Sequence, residues 1–141
     1  MEANETALLS TRAAQLADVL YVQGRYEEAE HWLGVAREHA AAADLDAQMH
    51  LRSVDAKLQA RSGNFIDAED VARAAVALSE QTDAVNDRAQ VLLALAEVLR
   101  LAGRQGESLE PTAAAVALYE RKGNTVAADR ARSLLSGALV G

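Results

Sequence analysis

The sequence has no cysteine, which excludes a disulfide frame, a thiolate zinc site and a sulfur nucleophile, and fits a reducing compartment. One proline, Pro111, and an aromatic content of 4% leave little material for β architecture, with its frequent turns and aromatic strand residues. No run of about 18 apolar residues occurs, so no membrane span is read. The opening MEANETALLS is acidic where a secretory leader is basic and then apolar. Basic residues number 14 against 21 acidic ones, and the formal charge of −7 repels nucleic acid and phospholipid surfaces alike. These absences lead to the expectation of a cytoplasmic all-α protein with neither a nucleic-acid nor a membrane partner. What is present in quantity is apolar residue: 50% of 141 positions, enough to bury the core of one domain spanning 1–141.

The chain also repeats itself. GRYEEAE, from Gly24 to Glu30, returns 39 positions later as GNFIDAE and another 40 on, in worn form, as GRQGESLE. Self-similarity at a fixed period marks an array of like structural units. Gly24, Gly63 and Gly103 each follow an apolar-periodic stretch, where glycine can end a helix in the left-handed conformation. Asp44 and Asp83 fall 20 residues after the first two glycines and Asn124 falls 21 after the third, each suited to an N-cap. The two signals bracket helices over 6–23, 26–43, 45–62, 65–81, 84–102, 107–122 and 125–139. The repeats are then about 5–43, 44–82 and 83–123, with a closing helix over 124–139.

Apolar residues at steps of three and four support this division: Leu9, Ala13, Leu16, Leu20 in the first helix and Val85, Ala89, Leu92, Ala96, Leu99 in the fifth. Alanine recurs in register at Ala17, Ala56, Ala96 and again at Ala36, Ala75, Ala115, where small side chains let helices approach closely. Helix propensity accounts for abundant alanine but not for its period. Pro111 aligns with Trp32 and Val71 inside the second helix of its repeat, which predicts a kink or a late start there. Trp32, the sole tryptophan, is expected to anchor the core.

A small residue, a turn glycine seven later, an aromatic two after that and alanine three further on resembles the tetratricopeptide repeat. Ala17, Gly24, Tyr26, Ala29 and Ala36 carry the pattern in the first repeat, and Ala56, Gly63, Phe65, Ala68 and Ala75 in the second. The third keeps Ala96, Gly103 and Ala115 but has Gln105 and Ser108 in the aromatic and alanine places. The second repeat departs at Asp55 and Gln59, where its siblings have Leu16, Leu20 and Leu95, Leu99. The period also exceeds that usual in the family, and is similar to the extended repeats of kinesin light chains and of bacterial signal-transduction ATPases. The closing LYERKGNTVAADRARSLL resembles the tail of repeat arms in bacterial regulators that carry a cyclase or ATPase module. The resemblance implies a right-handed solenoid of three helical hairpins plus a closing helix, with the first helix of each hairpin lining a concave wall that binds a peptide or helix.

Counting back from each turn glycine places Thr11, Asp18, Tyr21 and Val22 on that wall, then His50, Ser53, Lys57 and Arg61, then Gln90, Leu93, Glu97 and Arg100. These are the candidate partner-binding residues. Asp18, Lys57 and Glu97 are equivalent and are expected to form a row, with Lys57, Arg61 and Arg100 as a basic island in an acidic molecule. The lysine and asparagines with which the chaperone-binding branch of the family clamps a C-terminal carboxylate are replaced here: Ala14, Asp18, Ser53, Lys57, Leu93 and Glu97 stand in those places.

No catalytic constellation, metal site or cofactor site is read. His31 and His39, eight residues apart on one helix, are separated by about 12 Å, too far for joint ligation. Glu27 and His31 are one turn apart and read as a solvated pair. Gly103 and Gly106 follow no strand and precede no suitably placed lysine, so they form no phosphate loop. The expectation is a protein-interaction module rather than an enzyme. The alternatives are a regulatory arm of a larger bacterial signalling protein and a structural module that self-associates through its uncapped ends.

Overall fold

The structure, a computed structural model, describes the backbone of residues 3–40 and 44–140 and the side chains of 9–40 and 44–135. Among these residues the fold is all-α and repeat-like. Seven helices follow one another: α1 (Ala3–Val22), α2 (Tyr26–His39), α3 (Leu45–Arg61), α4 (Phe65–Ser79), α5 (Val85–Leu101), α6 (Gln105–Lys122) and α7 (Thr125–Val140).

The turn glycines act as the sequence predicts. Gly24, Gly63 and Gly103 have φ of +79°, +88° and +81°. At Gly63 the N–H donates to Ala60 O at 3.1 Å and the following Asn64 N–H reaches back to Gln59 O at 2.9 Å. This paired bonding satisfies carbonyls that a helix C-terminus leaves free. Gly123, at φ +82°, closes α6 in the same manner, a fourth stop that the repeat pattern did not single out.

Start signals are less uniform. Asp44 caps α3 by accepting from Ala47 N at 3.1 Å, and Asn124 accepts from Ala127 N at 3.2 Å. Asp83 does not cap α5: Ala84 holds that place, and Thr82 Oγ1 accepts from Ala84 N at 3.1 Å. No side chain caps α5, and Asp83 is exposed. Helices α2 and α4 also stop short of the expected 43 and 81, at His39 and Ser79. Ala40 is extended at ψ 124°, and the rest of the expected overrun, 41–43, lies outside the described residues.

Short glycine turns fold α1 onto α2, α3 onto α4 and α5 onto α6; α1, α3 and α5 also touch in series, while α7 packs on α6. The repeated alanines sit at these crossings. Ala17, Ala56, Ala96, Ala36, Ala75 and Ala115 are all wholly buried. Ala29 and Ala68 are too, and Ser108 replaces them in the third hairpin by turning its hydroxyl onto Gln105 O at 2.6 Å. The core is handed along the chain: one cluster joins α1, α2 and α3, the next α3, α4 and α5, the next α5, α6 and α7.

Leu33, not Trp32, is the fully buried large side chain of α2; Trp32 packs on the core from its edge. An indole is too large to sit at an alanine-lined crossing. Asp55 and Gln59 are reconciled with their place among leucines by each other and by Arg37, whose Nη2 lies 2.8 Å from Asp55 Oδ1. Helix α6 starts at Gln105, ahead of the expected 107, and passes Pro111 unbroken. Proline leaves the Glu107 carbonyl without a donor, and Glu107 is exposed, where water serves instead.

Candidate functional site

Because α1, α3 and α5 lie in series, residues one repeat apart become neighbours across helices. A groove of about 330 Å³ opens where these helices meet α6 and α7. Asp18 and Val22 come from α1, Lys57 from α3, and Gln90, Leu93, Glu97 and Arg100 from α5. Seven of the twelve expected wall residues therefore share one hollow. Tyr119 of α6 and Arg130 and Leu134 of α7 complete it, contributions that a count from the turn glycines could not supply. His50 and Ser53 line a smaller adjoining cavity that Asp18, Lys57 and Gln90 share. Thr11, half-buried, lines neither.

The remaining two, Tyr21 and Arg61, form a strut. Tyr21 is buried; its hydroxyl donates to Glu97 Oε2 at 2.7 Å and accepts from Arg61 Nε at 3.0 Å. Burial first, and then the bond to Glu97, push the phenol's pKa well above its usual value, so it stays protonated. The hydrogen bond that Arg61 donates to the Tyr21 hydroxyl raises the guanidinium's pKa. Lys57 Nζ and the Arg61 guanidinium also stand over the Tyr21 ring, 4.8 and 5.7 Å from its centroid.

The expected row is thus only partly a ladder of ion pairs. Lys57 is ion-paired with Asp18, whereas Glu97 takes the tyrosine hydroxyl. The basic island is also redistributed, since Lys57 pairs with Asp18 and Arg61 donates to the Tyr21 hydroxyl. Arg100 is not. Its Nη1 is buried and has no hydrogen-bond partner. Burial lowers its pKa, offset in part by the charge of Glu97. Arg130, exposed on α7, faces the same groove and makes no ion pair among the described residues. Apolar contact is available beside them from Val22, exposed by 74%, and from Leu134.

A second hollow of equal volume lies between α4, α5 and α6, lined by Leu92, Leu95, Leu99 and Pro111. Its arginine, Arg73, is already held by Glu69 at 2.8 Å, so it has no comparable unmet polar group. Of the histidines, His50 alone stands between two carboxylates, Asp46 and Asp87, on adjacent helices. No helix among the described residues is long and apolar enough to cross a membrane. No protein-family model, curated protein or solved structure matches the chain.

Proposed function

We propose that the protein is a non-catalytic recognition module: a right-handed solenoid of tetratricopeptide-repeat type that holds an extended segment or helix of a protein partner along its concave wall. The observation that carries this reading is Arg100, half-buried at the groove with its Nη1 unpartnered, in a molecule that has acid to spare. A buried donor left unmet costs about 1–3 kcal/mol, more when charged, and a ligand carboxylate that meets the accessible part of the Arg100 side chain would offset its charge. Val22, Leu93 and Leu134 supply apolar contact around it. The segment recognised is therefore acidic, with an apolar residue beside the acid.

Random-peptide display panned on the full chain tests this. The expected enrichment is for Asp or Glu next to an apolar residue, with binding lost in Arg100→Gln while helicity is retained. No enrichment, or enriched peptides that bind Arg100→Gln equally well, would sink the reading.

A second reading, a module that docks on another copy or on a longer polypeptide, is favoured by Leu16 and Val19. They are 38% and 52% exposed, one turn apart on α1. Sedimentation of the chain at high concentration separates the two: a monomer unaffected by Val19→Glu removes the self-associating form.

A further inference from the structure

Asp46 and His50 lie one turn apart on α3, and Asp87 sits in the first turn of α5, the neighbouring inner helix. The His50 Nε2 atom is 3.4 Å from Asp46 Oδ1 and 3.7 Å from Asp87 Oδ1, and one ligand atom from each residue falls within 4.8 Å of the others. We propose that Asp46, His50 and Asp87 form a binding site for a divalent transition-metal ion of the zinc class.

Zinc binds imidazole nitrogen and carboxylate oxygen at about 2.0–2.2 Å, so two ligands on a tetrahedron stand about 3.4 Å apart. The two histidine separations match that edge without backbone movement. The remaining carboxylate pair closes by rotation of Asp46, whose side chain is 53% exposed. Acids in the first turn of a helix serve the helix dipole by themselves. That role does not account for an imidazole, 16% exposed, directed at both of them from between two helices.

Beside the cluster is a cavity of about 30 Å³, roughly the room of one water molecule. Asp18 and Asp87 against Lys57 leave an excess of one negative charge around it, and Asp46 of the adjoining cluster adds another. A ligand set of one nitrogen and two carboxylate oxygens suits zinc and its neighbours better than calcium or magnesium, which take oxygen throughout. Three protein ligands leave a fourth position for water or for a carboxylate of a bound segment.

The test is calorimetric titration of the full chain with Zn²⁺ alone at neutral pH, paired with NMR of the histidine side chains. One ion per chain is expected, shifting the His50 imidazole signals and leaving those of His31 and His39 in place. His50→Gln and Asp87→Asn should each weaken binding at least about tenfold. Cobalt in place of zinc should give the visible absorption of a four-coordinate site. The proposal is overturned by no uptake below about 1 mM Zn²⁺, by shifts shared equally among the three histidines, or by unchanged affinity in both variants. The NMR result needs no variant, so a substitution that disturbed folding would not protect the proposal.

Discussion

Replacing Gly63 by valine isolates backbone strain from every other cost. The residue holds φ +88°, and a Cβ built there meets nothing within 4 Å, so the Cβ itself makes no clash. What remains is the left-handed penalty of about 1–2 kcal/mol for an L-residue, at its upper end for a β-branched side chain. In a domain of this size that lowers Tm by about 3–10 °C. Asparagine at the same position should cost less, because it visits the left-handed region more readily. Gly34 gives the opposite control: it lies inside α2, also with nothing within 4 Å of a Cβ, so Gly34→Ala should raise stability by about 0.5–1 kcal/mol. Thermal melts followed by circular dichroism read all three. If Gly63→Val melts with wild type, or Gly63→Asn costs as much as valine, the reasoning from positive φ fails.

Tyr21→Phe removes the hydroxyl that joins Glu97 to Arg61; Arg61 is exposed and half-buried Glu97 loses its donor, so urea denaturation should show a loss of about 1 kcal/mol, and no change would mean that water replaces the bridge. Glu69 is held below the ordinary carboxylate value of 4.5 by hydrogen bonds first from Arg104 and then from Arg73. A depressed folded-state pKa contributes stability that is full above the ordinary value and lost as pH falls through the depressed one. The stability gap between wild type and Glu69→Gln should therefore be present at neutral pH and shrink below 4.5 in pH-dependent melts; a gap independent of pH would refute the pairing.

The helices and their turns were legible because their signals are local: a glycine that must reach positive φ and an alanine that must fit a crossing each declare themselves within one period. Asp83 misled because α5 begins one residue later than the spacing implies, with Ala84 at the N-cap and no side chain capping it. The groove was half legible. Counting from the glycines found the α1, α3 and α5 side chains, but Arg130 and Leu134 enter through the packing of α7 on α6, which no repeat-to-repeat register encodes. Charge at equivalent positions predicted the neighbours and one of the two pairings: Lys57 pairs with Asp18, but Glu97 takes a tyrosine hydroxyl instead of Lys57. Asp46 and His50 are visible as a one-turn pair, yet Asp87 joins them only once α3 and α5 lie side by side.

The Tyr21 hydroxyl reaches a residue 76 positions away, from α1 to α5. In a row of units that touch only their neighbours, stability is a sum of adjacent terms, and an end unit can fray while the rest stays folded. A bond that skips the middle unit changes that arithmetic. The first hairpin cannot detach without exposing Glu97 on the third, and Arg61 of the second is tied to the same oxygen. All three hairpins thus share one hydrogen-bonded node, which favours a single sharp unfolding transition over stepwise unzipping from an end.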